Sequence, residues 1–261
     1  MKITDTLVVY TIPRSKEQKS NLELVKNSLM KHKIDYKLAN RDRLRKAYFQ
    51  NKDLIIAVGG DGTFLRAAHF AGKQLLLGVN SDTKNKEGFF MKADKNNFEK
   101  KLKSIIKNKF VIKKLQRLEA CINNKKVDVC ALNEFFVGAR KSYHAAKYII
   151  WVGNEKERQK SSGVLIATPS GSRAWAKSCC SRTLPLSSNK FQFVVREPYE
   201  GKVFKDYRLK YGILDEKQEI SLVSEMLEGV IVADSVSREY KFKAGSKAII
   251  KLSRNYLNAI W

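Results

Sequence analysis

The segment Asp53-Leu54-Ile55-Ile56-Ala57-Val58 runs without a break into Gly59-Gly60-Asp61-Gly62-Thr63. Apolar residues at consecutive positions fit a strand buried on both faces, and such strands belong to parallel sheets covered by helices. The glycines that follow reach conformations closed to other residues and let a ligand approach the backbone. A helix opening directly behind them aims free N–H groups and its positive dipole end at the same point. That arrangement binds phosphate. Asp61 is out of place there unless it accepts a proton from a hydroxyl or helps position Mg²⁺ beside the phosphates. The plain alternative is a glycine-rich turn with Asp61 as helix N-cap. Neither a Walker A loop nor a Gly-x-Gly-x-x-Gly fingerprint is present.

The flanking sequence keeps an α/β rhythm. Leu7-Val8-Val9-Tyr10 reads as a strand, and Ser15 with Gln18 as a capping box opening a helix with Leu22, Val25 and Leu29 on one face. Residues 34–38 and 75–79 read as further strands. The spacing predicts helices over 64–71, closed by Gly72 at C′, and over 98–106. Beyond about residue 112 the helical period fades. Short β-rich pieces follow at 119–122, 127–132, 135–137, 148–152, 164–167, 191–196, 220–223, 230–233 and 248–252. The expected fold is a Rossmann-like parallel α/β domain over residues 1–112 and a mostly antiparallel β domain over 113–261. The chain end is a candidate to pack back on the first domain.

With 261 residues, 43% of them hydrophobic, the chain can bury a real core and is neither disordered nor collagen-like. It has no run of about 18 apolar residues, and its N-terminal apolar run is too short for a signal-peptide core. Cys121, Cys130, Cys179 and Cys180 have no metal-ligand spacing and are too few for a disulfide scaffold, so a reducing cytoplasm is expected. A net charge of +25 is spread along the chain, often as pairs such as Lys100-Lys101. It fits a solvated surface or a field that draws in polyanions, and does not choose between them.

Five segments together resemble the NAD kinase family. The first is the Gly-Gly-Asp-Gly-Thr loop, which diacylglycerol and sphingosine kinases share. The second is Gly78-Val79-Asn80-Ser81-Asp82 followed by Glu87-Gly88-Phe89-Phe90. The others are Ala131-Leu132-Asn133-Glu134, Thr168-Pro169-Ser170-Gly171-Ser172-Arg173-Ala174-Trp175, and Val232-Ala233-Asp234. Lys160-Ser161-Ser162-Gly163, residues 171–175 and Val195-Arg196-Glu197-Pro198 look most like the mitochondrial-type branch. Ser162 stands where many bacterial members carry Asp.

The resemblance implies an enzyme that phosphorylates the 2′-hydroxyl of the adenosine ribose of NAD to give NADP, with ATP or polyphosphate as donor and Mg²⁺ accompanying its phosphates. It implies that Asp61 binds and deprotonates that hydroxyl. Gly59, Gly60, Gly62 and Thr63 would cradle phosphate, while Asn133 and Glu134 hold NAD. Phe89 and Phe90 are candidates to flank adenine and, equally, for plain core. Lys160, Ser162, Ser170, Arg173, Ala174, Trp175, Ser178 and Asp234 complete the expected binding set. No protein metal ligands, nucleic-acid partner or membrane association are expected, and a homodimer or homotetramer is. The competing expectations are a lipid kinase sharing the glycine loop and a catalytically silent nucleotide-binding homologue.

Overall fold

A computed structural model describes residues 3–261. Residues up to Lys114 together with Leu257–Trp261 form one compact unit, and Leu115–Tyr256 form another. In chain order the first contains β1 (Asp5–Tyr10), α1 (Lys16–Lys31), β2 (Asp35–Asn40), β3 (Leu54–Gly59), α2 (Asp61–Ala68), β4 (Leu75–Asn80), β5 (Met91–Ala93), α3 (Phe98–Ile106) and β6 (Ile112–Leu115). The second contains β7 (Leu118–Ile122), β8 (Lys125–Lys126), β9 (Glu134–Ala139), β10 (Ala146–Val152), β11 (Glu155–Ser161) and β12 (Val164–Ala167). It continues with α4 (Trp175–Ser178), β13 (Lys190–Val195), β14 (Tyr211–Asp215), β15 (Glu219–Ser224), β16 (Gly229–Ala233), β17 (Tyr240–Lys241) and β18 (Lys247–Leu252). The chain then returns to the first unit as β19 (Leu257–Ile260).

The first sheet has the order β2-β1-β3-β4-β19-β6, with β5 also on β4. Its pairs β1/β2, β1/β3, β3/β4 and β4/β19 are parallel. Every residue of β3 and β4 is buried, as a parallel sheet covered by helices requires. Val25 and Leu29 of α1 join one core with Ile56, Leu77 and the Phe98, Leu102 and Ile105 face of α3. Ser15 caps α1 by accepting the Gln18 N–H at 3.2 Å, and the Gln18 side chain in turn accepts the Arg14 N–H at 2.9 Å. The box therefore closes one residue earlier than the pattern predicts. The second helix differs more. It starts at Asp61 rather than Phe64 and ends at Ala68, so half of the glycine loop is its first turn. Gly72 does not adopt the left-handed conformation expected of a C′ residue.

The second unit holds two six-stranded sheets, ordered β11-β10-β15-β18-β7-β8 and β14-β13-β12-β9-β16-β17. Their inner faces share one core, with Tyr148, Ile150, Leu222 and Ile250 from the first meeting Phe135, Ile166, Phe193 and Ile231 from the second. Alternating burial along β10, β15 and β18 gives the period of two that the sequence carries. Residues 127–132 do not form the predicted strand. They pair with β7 at Ala131 and then turn, because the Leu132 N–H goes to the Asp234 side chain. Conversely, β11 pairs with β10 along its whole length although its sequence, EKERQKS, is charged. Among the described residues, no helix is long and apolar enough to cross a membrane.

Candidate active site

In the first unit, β3 delivers the chain to Gly60, the extended N-cap of α2. Asp61 is the first helical residue and makes no capping bond; its carboxylate instead accepts the N–H groups of Phe89 and Phe90 at 2.9 and 2.8 Å. One lone pair on each oxygen stays available. The 81–88 loop is brought over this point by β4: Asn80 accepts the Asp82 N–H and donates to the Lys86 carbonyl at 3.0 Å. Gly88 turns the loop at φ 70, where a Cβ would lie 2.7 Å from Asn80 Nδ2. Asp61, Gly60 and Gly62 line a cavity of about 480 Å³ with Arg14, Arg41 and Lys86 among its walls. Arg41 donates to Thr63 Oγ1 at 3.3 Å, and its buried Nε has no hydrogen-bond partner. Burial, and then Arg41 nearby, lower the Lys86 pKa against the opposing pull of Asp82. Cations, helix N–H groups and the Asp61 carboxylate thus converge on a single hollow whose walls also include Asp82 and Glu87.

In the second unit a polar cluster forms where β9 begins. Asn133 and Glu134 are 7% and 3% exposed, and Asn133 Oδ1 and Glu134 Oε2 are buried without any partner. Unmatched buried acceptors of this kind are rare in a finished protein, and they mark where a ligand would bond. Thr168 donates to the Leu132 carbonyl at 2.6 Å and accepts the Gly171 N–H at 3.1 Å. Gly171 passes so close that a Cβ would sit 2.0 Å from the Asn133 carbonyl oxygen. Burial first, and the neighbouring Asp234 second, push the Glu134 carboxyl up to about 8.

A family model described as the ATP-NAD kinase N-terminal domain matches residues 3–110. A probable NADH kinase of Oryza sativa subsp. japonica is 28% identical over 247 residues, covering 86% of this chain and 75% of that protein. An NAD kinase of Thermoplasma acidophilum is also 28% identical, covering 78% and 71%. These comparisons support the NAD kinase family. The chain's fold agrees with solved structures of an NAD kinase from Archaeoglobus fulgidus in complex with ATP (TM-score 0.80, 21% identity, 99% and 94% covered) and of yeast NADH kinase complexed with NADH (0.81, 15%, 99% and 83%).

Several of the residues expected at the ligand already have partners within the fold. The Phe90 ring is core: it is 2% exposed and stacked on Phe64 at 4.8 Å, so only its N–H faces Asp61. Phe89 stays half-buried, edge-on to Phe90 and to Trp261. Arg173 is no free cation, because its Nη1 donates to the carbonyls of Pro169 and Leu184 and staples that loop. Asp234 is 2% exposed with both oxygens engaged by backbone, which leaves it beneath the Asn133-Glu134 pair rather than facing a ligand. Ser178 is exposed at the end of the four-residue α4, and Ala174 and buried Ser170 belong to the turn before it. Lys160 lies over the Tyr199 ring at 4.1 Å. Trp175 stacks on Phe136 at 5.3 Å with the Arg196 guanidinium 4.8 Å from its ring, and Ser162 hydrogen-bonds to the neighbouring Glu197.

The sequence reading missed Arg14, Arg41, Lys86, Phe136 and Arg196. For Arg14 a signal existed, since it stands immediately before the α1 cap. Arg41 and Lys86 are two cations among fifty-one and nothing in their spacing distinguishes them.

Proposed function

We propose that this chain transfers the terminal phosphoryl group of ATP or polyphosphate to the 2′-hydroxyl of the adenosine ribose of NAD, giving NADP. Asp61 carries this proposal: it is a half-buried carboxylate at a helix start, on the wall of a cavity that Arg14, Arg41 and Lys86 line together with Asp82 and Glu87. The three cations, with the N–H groups of Asp61 and Gly62, hold and neutralise the donor phosphates; in phosphoryl transfer such positioning and charge stabilisation supply most of the catalysis. Asp61 takes the proton that the ribose hydroxyl loses as its oxygen bonds to phosphorus. Asn133 and Glu134 in the second unit bind NAD through their unmatched atoms.

Magnesium belongs to the donor. Among the described residues no three His, Cys, Asp or Glu groups converge on one point, and both Asp61 oxygens already accept an N–H, so the ion would be held mainly by phosphate oxygens. A homodimer or homotetramer in the cytoplasm is part of the same proposal. Likeness to plant and yeast NADH kinases adds a second reading, that NADH is accepted as well as NAD. A coupled assay for NADP and NADPH formation, run on wild type and Asp61→Asn, tests both. Product from wild type and almost none from the variant is expected. Tight NAD binding without product would sink the enzymatic proposal, and lipid phosphorylation without NADP would replace it.

A further inference from the structure

One side chain holds the whole turn that presents Asn133 and Glu134. Asp234 accepts the Leu132 N–H on Oδ2 at 2.8 Å, and the Asn133 and Glu134 N–H groups on Oδ1 at 2.6 and 3.1 Å. Its own N–H goes back to the Glu134 carbonyl at 2.9 Å. To do this it adopts φ 54, a left-handed conformation uncommon for a residue with a Cβ. Three consecutive N–H groups around one carboxylate fix the backbone on which the two exposed-to-ligand side chains stand.

The surroundings of Glu134 decide its form. On one side β12 places Ala167 opposite it, followed by the neutral Thr168. On the other side β16 ends at Ala233, with Asp234 next in the chain. The buried cation of this region, Arg117 just ahead of β7, interacts with Asp234, and Glu134 forms no ion pair among the described residues. A carboxylate buried beside another carboxylate, with no cation of its own, relieves the cost by taking up a proton.

We propose that Asp234 is a positioning residue that sets the Asn133-Glu134 pair through the backbone, and that Glu134 meets its ligand as a neutral acid donating a hydrogen bond. The direction of the Glu134 shift, upward through burial and then through Asp234, agrees with that geometry. The ligand must then offer an acceptor at this point, a hydroxyl oxygen or a base nitrogen, and an anionic oxygen is not repelled there. This role rests on the assignment of Asn133 and Glu134 to NAD made above.

The test begins on the ligand-free protein, labelled with carbon-13 at the glutamate carboxyls and followed by NMR, with Glu134→Gln assigning the resonance. Glu134 is expected to titrate at about 8 in wild type and clearly lower in Asp234→Asn, which removes a charge. NAD affinity measured by calorimetry should be full at pH 7 and fall roughly tenfold by pH 9 as the acid ionises. The Glu134→Gln variant should lose that alkaline fall, and Asp234→Asn should move it to lower pH. Titration of wild-type Glu134 in the ordinary carboxylate range overturns the inference while leaving NAD binding untouched. Affinity for NAD that ignores Asn133→Ala overturns the underlying assignment instead. The wild-type titration needs no variant to fold beyond the one used for assignment.

Discussion

The polar groups around Asp61 and those around Asn133 are assembled in opposite ways. In the first unit, strand end, glycine turn and helix start are one stretch of chain, and the Asp61 carboxylate reaches partners only 28 and 29 positions away. In the second, the Leu132-Asn133-Glu134 turn is built from pieces brought together by the two strands that flank β9 in one sheet: Thr168 just past β12 and Asp234 just past β16, the latter 100 to 102 positions distant. A site of the first kind survives as long as one supersecondary unit forms. The second kind exists only when the β core has closed, so damage to it moves stability and binding together, whereas damage at Asp61 moves chemistry.

Four measurements break or sharpen that contrast. Asp61→Asn should lower kcat by about 10²–10⁴-fold, the usual worth of a general base, with the half-saturating NAD concentration changed only a few-fold; steady-state kinetics giving a change mainly in KM would erase the distinction. Asn133→Ala should do the reverse, raising half-saturating NAD by roughly tenfold or more as a buried ligand bond is lost, and an unchanged value would remove Asn133 from the site. Gly171→Ala should destabilise by about 1–3 kcal/mol, because its methyl meets the Asn133 backbone carbonyl and main chain does not give way. Gly60→Ala meets only the flexible Lys86 stem, 3.0 Å away, at an extended φ, and should stay within about 0.5 kcal/mol. Thermal melts of the pair decide it, and equal losses would count against the difference in construction.

Another small effect lies outside both sites, on α3. Glu99 is held at about 2, first by a hydrogen bond from His32 at 2.9 Å. A depressed carboxylate contributes stability that is complete above its unfolded pKa of about 4.5 and lost as pH falls toward 2. Since Glu99 is one third exposed, solvent screening limits its worth to about 1 kcal/mol at most. Glu99→Gln should therefore lower the melting temperature slightly at pH 7 and not at pH 2, and a uniform loss at both would assign the effect to packing.

What the sequence made legible follows the same division. Consecutive burial in β3 and the glycines behind it are local facts, so the parallel sheet and the loop are readable from residues 53–63 alone. So is α3, expected over 98–106 and found at Phe98–Ile106 with Phe98, Leu102 and Ile105 on its buried face. The roles of Phe90, Arg173 and Asp234 were not readable, since each depends on a distant partner: Phe64 for the ring, the Leu184 carbonyl for the guanidinium, and the 132–134 backbone for the carboxylate. The strand β11 was hidden for another reason. Only Gln159 and Ser161 along it are buried, both polar, so pairing with β10 and not an apolar pattern keeps it extended.

The return of the chain as β19 has a bearing on biosynthesis. This strand lies between β4 and β6, and behind it the Trp261 ring sits 3.8 Å from Lys92 Nζ. On the ribosome, everything up to Tyr256 is made before Leu257 emerges, so β4 waits through the whole of the second unit with the Leu75-Leu76 part of one edge open. The portion translated first is completed last. An open edge is where nascent chains mispair, and a protease that clipped the final strand would return the finished enzyme to that half-built condition.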